Sequence, residues 1–492
     1  MRVSEYYGIN RRQSELDFVD VQTVNDTPVY IDPSMIRWLS DDWSATCNQM
    51  LNTYFDSVLD AVRNEDEFRV LSLLGKLREP NETHLGISKG RAAGRALGPK
   101  TIGVLAKQLS DSKAARTGLI EDLEDTALFI EGVGKDIVSD ITTNIIRGML
   151  IAYTGGVCEF YGIPTEEVPS GFVWNPLNQT WEEDWVNLPV TDTGKLLLTP
   201  KVIVRTGLHL TKDEFFSHHL TPALQNEELE KPGSKLVQTL KDGSRHVNRE
   251  DIRRHYGNSK SVVESLTVER PNLYLHYKSV KCKSHPERIT HEDFDSITGS
   301  DQTNYYDALR KVLETPLGSD YANQYHSNIE ALMTTLFYPQ LSNPIKECEI
   351  NEGRKRVDIR YTNTSDRGFF SWLRTHQIPC KYIFMECKNY SRDLGNPELD
   401  QISSRFSPLR GTFGIISCRS FENKELFLKR CRDTALDQRG YIVLLDDSDL
   451  IELVESAVEA LQAPRETKSA HNVSRTIWEY PLIQQRFDAL VS

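Results

Sequence analysis

The sequence predicts an α/β protein. A mostly helical N-terminal region with a β-rich segment precedes a C-terminal domain that has a mixed central sheet flanked by helices. Apolar residues at helical spacing dominate residues 41–161. From residue 321 to about 461, short apolar runs instead alternate with amphipathic stretches. At 492 residues the chain is too long for one core, so we expect more than one domain.

The C-terminal elements are predicted in the order α-β-β-β-α-β-α-β-α. The first helix, 321–338, has apolar residues such as Ile329, Leu332 and Leu336 at helical spacing. Pro397 marks the start of a later helix. The turn 351–353 joins the first two strands, and an insertion, 362–379, follows the second. The segments after the first helix are strands 345–350, 356–361 and 382–388, helix 398–406, strand 412–417, helix 423–436, strand 441–445 and helix 449–461.

The first three hundred residues are predicted as two domains followed by a linker. Asp41 or Asp42 would cap a helix that runs to Asn64. Short β-rich runs lie between residues 171 and 206, and helical patterns return in 211–256. The predicted units are a mostly helical domain 1–165, a mixed β/α segment 166–290, a linker 291–304, the C-terminal domain 305–462 and a tail 463–492.

Glu386-Cys387-Lys388 is the strongest functional signal. Strand alternation places Glu386 and Lys388 on one face and Cys387 on the other, so we expect Cys387 to be buried and not a nucleophile. The preceding strand carries Asp358. A carboxylate pair holds a hard divalent cation, and a nearby amine orients water or neutralises charge on a phosphate. This combination suits phosphodiester hydrolysis.

These residues, in this order of elements, resemble the PD-(D/E)XK nuclease superfamily, which has the restriction-endonuclease-like fold. The resemblance covers residues 321 to about 446, and the string 386–390 looks like that of Mrr-like restriction enzymes. Val357 departs from the family pattern, which has proline before the aspartate. The catalytic residues that the resemblance implies are Asp358, Glu386, Lys388, the helix acid Glu330 and the helix glutamine Gln401.

The resemblance also implies a metal site. Mg²⁺, for which Mn²⁺ would substitute, is expected on Asp358, Glu386 and the backbone carbonyl of Cys387. Glu330 is expected to hold a water or a second ion, and Gln401 to position the water or a phosphate. The expected products carry 5′-phosphate and 3′-hydroxyl ends. The alternative interpretation is that the Asp, Glu and Lys form a strand-end ion-pair network.

The net charge of −13 argues against a diffuse nucleic-acid binder but is compatible with a local basic groove. Residues 235–288 hold twelve Lys and Arg against six Asp and Glu, together with three tyrosines, Tyr256, Tyr274 and Tyr277. They predict a phosphate-tracking surface with aromatic platforms, centred on Arg253 and Arg254. A solvated helical face fits the same pattern equally well. Weaker candidates for DNA contacts are Asn389, Arg392 and Arg405.

We therefore expect a Mg²⁺-dependent DNA endonuclease of prokaryotic defence, whose N-terminal half senses or regulates. DNA, further copies of the chain and a defence-system protein are the expected partners. Two alternatives are a repair or recombination nuclease acting on ends or junctions, and an inactive DNA-binding scaffold. No apolar run approaches the ~20 residues of a membrane span, and the N-terminus lacks a signal-peptide core. Eight scattered cysteines without a CxxC pair complete the expectation of a cytoplasmic protein with free thiols and no membrane contact.

Overall fold

The structure is a computed structural model that describes residues 1–86, 98–284, 286–350, 355–390, 392–462 and 481–492. It is a mixed α/β protein, as predicted. Its buried apolar side chains form two cores. One core extends from Val3 to Phe294 and includes Tyr338, and the other extends from Ala308 to Leu490. The boundary between an N-terminal and a C-terminal domain therefore lies near residue 300.

The described helices are numbered in chain order. They are α1 Val3–Tyr6, α2 Pro33–Trp38, α3 Asp42–Arg63, α4 Glu67–Leu74, α5 Pro99–Asp111, α6 Lys113–Thr117, α7 Thr126–Phe129, α8 Lys135–Ile145, α9 Arg147–Tyr161, α10 Lys212–Phe215, α11 Thr221–Glu230, α12 Arg249–Tyr256, α13 Lys260–Glu269, α14 Pro271–Lys283, α15 His291–Thr298, α16 Tyr305–Leu313, α17 Ala322–Phe337, α18 Gly368–Thr375, α19 Asn396–Ser403, α20 Lys424–Leu436, α21 Asp447–Gln462 and, last, Pro481–Val491.

The described strands are numbered in the same way. They are β1 Tyr30–Ile31, β2 Glu166–Pro169, β3 Val173–Asn175, β4 Thr180–Glu182, β5 Trp185–Leu188, β6 Val190–Thr191, β7 Gly194–Lys195, β8 Val204–Arg205, β9 Val237–Thr239, β10 Arg245–Val247, β11 Leu341–Ile350, β12 Lys355–Asn363, β13 Tyr382–Lys388, β14 Phe413–Cys418 and β15 Tyr441–Leu445.

The C-terminal domain has a five-stranded mixed sheet in the order β11-β12-β13-β14-β15. The pairs β11–β12 and β12–β13 are antiparallel, whereas β13–β14 and β14–β15 are parallel. Strand β13 contacts α17 and α19, and all seven of its residues are buried, which explains its nearly continuous apolar sequence. Ile359 pairs with Met385, so Asp358 lies opposite Glu386 across the antiparallel pair. The mixed sheet is the part of the fold prediction that the structure confirms.

Several C-terminal elements extend beyond their predicted bounds. Strands β11 and β12 are longer than predicted, and the insertion 362–379 contains α18. Phe369 and Phe370 of α18 are buried in the C-terminal core. The turn predicted at 351–353 lies outside the described residues. The sequence pattern does not predict α18, because the apolar run of the insertion is too short to show helical periodicity.

The predicted linker and tail are corrected in part. Residues 291–304 contain α15, and Phe294 is buried in the N-terminal core, so this segment is not an unstructured linker. Residues 463–480 of the tail lie outside the described residues. The last helix, Pro481–Val491, packs on the C-terminal core through Leu482, Ile483, Phe487 and Leu490. The C-terminal domain therefore extends past residue 462.

The two N-terminal units predicted from sequence share one core. Leu197, from the predicted β/α segment, is buried in the same core as Val3, and β1 pairs with β8. Helix α3 begins as predicted, and its cap Asp41 accepts hydrogen bonds from two backbone amides. A β9–β10 hairpin replaces part of the helix predicted in 211–256, because Gly243 turns the chain at a φ of 84°. Among the described residues no helix is long and apolar enough to cross a membrane.

Candidate active site

Strand pairing brings Asp358, Glu386 and Lys388 together at one end of β12 and β13. Lys388 Nζ donates to Glu386 Oε2 at 2.8 Å and lies 3.7 Å from Asp358 Oδ2. The backbone amide of Cys387 donates to Asp358 Oδ2 at 2.8 Å, which fixes this carboxylate beside β13. Cys387 itself is buried in the C-terminal core, as predicted. The predicted Asp, Glu and Lys therefore form one polar cluster.

Gln401 on α19 joins the same cluster. Its Nε2 donates to Glu386 Oε2 at 2.7 Å, and its Oε1 accepts from Lys388 Nζ at 3.3 Å. One amide thus fixes the positions of the Glu386 carboxylate and the Lys388 ammonium together. Gln401 reaches the predicted site because α19 follows β13 in the chain and packs against it.

Burial sets the electrostatics of the cluster. Glu386 is fully buried, and burial together with the nearby Asp358 raises its pKa to about 7 despite the opposing effect of Lys388. Burial lowers the pKa of Lys388, but the attraction of Glu386 and Asp358 outweighs it, and the net direction is upward. Lys388 is therefore a firmly protonated cation between two carboxylates.

Glu386 Oε1 is buried and has no hydrogen-bond partner among the described residues. Nearly all buried polar atoms in folded proteins have such a partner. Its sister oxygen, Oε2, already accepts from Lys388 and Gln401. The unpartnered oxygen is thus the part of the cluster that is left to bind a ligand.

The sequence interpretation missed His326, a residue of α17. His326 Nε2 lies 3.0 Å from the carbonyl oxygen of Cys387 and 3.8 Å from Asp358 Oδ2. The contact is with the carbonyl that was expected to bind the metal. A signal existed, because His326 precedes Glu330 by four residues and therefore shares its helical face.

Glu330, in contrast, is not brought to the cluster. Its Oε2 lies 3.0 Å from Arg11 Nη2, and its Oε1 accepts from Thr334 at 2.9 Å. No contact among the described residues joins it to Asp358 or Glu386. Burial raises its pKa, with Arg11 opposing this effect. The structure thus gives Glu330 a partner in the N-terminal domain, which differs from the predicted role as a metal ligand.

The cluster fits one hard cation with a small protein ligand set. No group of three or more His, Cys, Asp or Glu side chains in the described part of the chain is placed to hold a metal. Mg²⁺ needs only one or two protein carboxylates, because water and substrate oxygens complete its shell. Asp358, the free Oε1 of Glu386 and the Cys387 carbonyl satisfy this requirement, so the residues present fit the ion.

The weaker DNA-contact candidates of the C-terminal domain differ from one another. Asn389 is buried, and its amide donates to the carbonyls of Pro316 and Gly318 at 2.8 and 3.0 Å, so its prediction as a DNA contact is wrong. Arg392 is exposed and pairs with Glu398 at 3.1 Å. Arg405 is half-buried and donates to a backbone carbonyl at 2.8 Å.

The basic segment is only partly a surface. Tyr274 and Tyr277 are buried, so they cannot be stacking platforms for bases, and the prediction is wrong for them. Lys278 is held between Asp122 and Asp125 at 2.8 and 2.9 Å. The exposed cations are concentrated on the β9–β10 hairpin, its flanks and α12. They are Lys235, Lys241, Arg245, Arg249, Arg253 and Arg254, and Lys283 at the end of α14 is exposed as well.

A cavity of about 880 Å³ lies between the two domains. Its walls include Trp43, Tyr161 and Arg360, and it does not include the predicted catalytic residues. Five carboxylates line it against two cations. They are Asp17, Asp41, Asp42, Glu159 and Glu347, against Lys346 and Arg360. This acidic lining does not suit a polyanion such as DNA, so we place the candidate site at the Glu386 cluster.

One comparison with known proteins gives a match. A family model described as a domain of unknown function, DUF8370, matches residues 8–211. The matched segment lies in the N-terminal domain and excludes the whole Glu386 cluster. No curated protein and no solved structure matches the chain.

Proposed function

We propose that this chain is a Mg²⁺-dependent deoxyribonuclease with a PD-(D/E)XK-type site on its C-terminal sheet. The observation that carries the proposal is the buried, unpartnered Oε1 of Glu386, opposite Asp358 and beside the ammonium of Lys388. Nearly all buried polar atoms in folded proteins have a partner, so an unpartnered oxygen on a carboxylate that faces a second carboxylate and an ammonium supports a ligand site over an ion-pair network. The mixed sheet and its flanking helices support the same proposal.

Each residue then has a role in phosphodiester hydrolysis. Mg²⁺ would neutralise the phosphate and lower the pKa of the attacking water. Asp358 and Glu386 would hold this ion, and Lys388 would stabilise the charge that develops on the phosphate. Gln401 keeps Glu386 and Lys388 in one orientation through its two hydrogen bonds. His326 Nε2 contacts the carbonyl of Cys387 and would orient this carbonyl at the ion site.

The two domains would divide the work. The C-terminal domain would cut DNA, and the N-terminal domain would recognise or regulate the target, in defence against foreign DNA. Support for a DNA contact outside the sheet comes from the exposed cations of α12 and its hairpin, among them Arg253 and Arg254.

The test uses full-length protein with plasmid, linear and single-stranded DNA, in Mg²⁺ or in EDTA. We expect cleavage in Mg²⁺ alone. Asp358→Ala, Glu386→Ala and Lys388→Ala should each reduce it by about 10³-fold or more, because each removes a group that acts on the phosphate or the ion. Mg²⁺ affinity, measured by calorimetry, should fall for the two acid variants and persist in Lys388→Ala.

Asp437→Ala is the matched control, because Asp437 is an exposed acid of the same domain. It should cut at the wild-type rate. Wild-type cleavage by Glu386→Ala, or absence of cleavage of every substrate by the unmodified protein, would contradict the proposed function. Near-UV circular dichroism of each variant verifies that the fold is retained.

A further inference from the structure

The N-terminal domain holds the helix that bears His326. Arg11 Nη2 donates to the carbonyl and the hydroxyl of Ser327, at 2.7 and 2.9 Å. The same nitrogen lies 3.0 Å from Glu330 Oε2. One guanidinium therefore contacts two residues of α17, and the first of them directly follows His326.

This contact is shielded from solvent. The Arg11 side chain is 10% exposed and that of Glu330 is 0% exposed. The second oxygen of Glu330 accepts from Thr334, one helical turn further along α17. A buried ion pair with these additional bonds has one geometry and little freedom, which makes it suitable for fixing the position of a helix.

The fixed turn leads directly to the candidate active site. His326 and Glu330 are four residues apart on α17, so they lie on one face of the helix. Arg11 contacts Glu330 at one end of this turn and Ser327, next to His326, at the other. At that second end, His326 Nε2 lies 3.0 Å from the carbonyl of Cys387. A shift of α17 would move the histidine away from this carbonyl.

We propose that Arg11 is a positioning residue for the C-terminal site, acting through α17 and His326. The proposal rests on the proposed function and deepens it, because it makes the N-terminal domain a structural part of the nuclease site. Arg11 lies within the segment that the DUF8370 model matches. This domain then contributes to the chemistry of the C-terminal domain in addition to any contact with DNA.

The test is a double-mutant cycle in the full-length protein with Arg11→Ala, His326→Ala and the combined variant. Partners of this kind around a metal site are worth about 10–100-fold in activity or metal affinity. We expect such a loss in kcat and in Mg²⁺ affinity for Arg11→Ala, with the KM for DNA unchanged within about twofold. The combined variant should be no worse than His326→Ala, since Arg11 acts through the histidine.

Two further variants keep the test independent of folding. Arg11→Lys retains the charge but loses the planar fork, so it should recover only part of the kcat. Arg11→Ala combined with Glu330→Gln removes both buried charges, and it should fold yet remain slow. Arg12→Ala is the matched control, because Arg12 pairs with Asp307 of α16 at 3.4 Å instead, and it should cut at the wild-type rate.

Two outcomes would overturn the role of Arg11. The first is that Arg11→Ala keeps the wild-type kcat and Mg²⁺ affinity. The second is that the fold loss in kcat of the combined variant equals the product of the losses in Arg11→Ala and His326→Ala. Either outcome, with cleavage that still depends on Glu386, rejects the positioning role alone. Cleavage and Mg²⁺ binding that do not depend on Glu386 reject the proposed nuclease site and, with it, the role of Arg11.

Discussion

Each domain buries a carboxylate beside a lysine, and the two arrangements differ in one oxygen atom. In the N-terminal domain, Asp125 accepts from Tyr274 with one oxygen and from Lys278 and two backbone amides with the other. In the C-terminal domain, Glu386 accepts from Lys388 with Oε2, while its Oε1 has no partner in the described chain. A fully bonded carboxylate stabilises a fold, whereas an incompletely bonded one can bind a ligand.

Asp140 shows that an unpartnered oxygen alone is not enough. Its Oδ2 also lacks a partner among the described residues, but burial and the nearby Asp136 raise its pKa to about 9. Asp140 is therefore a neutral acid near pH 7, and its environment contributes negative charge. Glu386 differs because Lys388 and Gln401 are directed at it. In Glu386 the free oxygen is combined with a cation on the same strand and with Asp358 opposite it on the paired strand.

The largest expected difference between the two carboxylates concerns folding. Asp125→Ala should lower the free energy of unfolding by about 3–5 kcal/mol, because it removes the buried acceptor of Tyr274 and of two backbone amides and one of the carboxylate partners of Lys278. Glu386→Gln should change it by about 1 kcal/mol or less at pH 7, since one of its oxygens has no bond to lose. Denaturant unfolding of the two variants measures both values. Equal losses would show that Glu386 is a structural residue too.

The second prediction uses pH. Burial raises the pKa of Glu386 from 4.5 to about 7. Between these values the folded protein keeps a proton that the unfolded chain releases, so this contribution to stability is complete below pH 4.5 and is lost as pH rises through 7. In EDTA, the free energy of unfolding of the wild-type protein should fall by about 1–3 kcal/mol relative to that of Glu386→Gln as the pH rises from 5.5 to 8. A constant difference across this range would contradict the buried, proton-binding state.

The two domains also differ in how far their sequence predicts them. The sequence predicts strand β15 at its observed bounds and strand β13 from its observed start at Tyr382, because each is a buried apolar run with a clear start. Asp358, Glu386 and Lys388 then follow from strand alternation and antiparallel pairing. Nearest-neighbour rules of this kind need no knowledge of the rest of the fold, and these three residues depend on them alone, whereas Gln401 and His326 reach the cluster through helix packing.

Contacts between distant segments could not be predicted in this way. Arg11 and Glu330 form an ion pair although they are 319 positions apart in the sequence, and no local sequence pattern predicts that pair. Tyr274 and Tyr277 stand in a basic segment, yet tertiary packing buries both of them. Composition describes which residues a segment carries, but only the packing of the whole domain decides which of them reach solvent.

The smallest expected effect tests which domain supplies the DNA surface. Arg253 and Arg254 of α12 are exposed; Arg254 lies 3.5 Å from Asp251. Arg253→Glu and Arg254→Glu should each weaken DNA binding and reduce the slope of log K against log salt by about one unit per lost phosphate contact. Arg392→Glu is the C-terminal comparison, and it should change the slope less, because Arg392 lies closer to its carboxylate partner, 3.1 Å from Glu398 against 3.5 Å between Arg254 and Asp251. If the α12 variants bind DNA with unchanged affinity at several salt concentrations, α12 is a solvated surface and not a DNA contact. A larger loss for Arg392→Glu would instead move the DNA contact to the C-terminal domain, beside the Glu386 cluster.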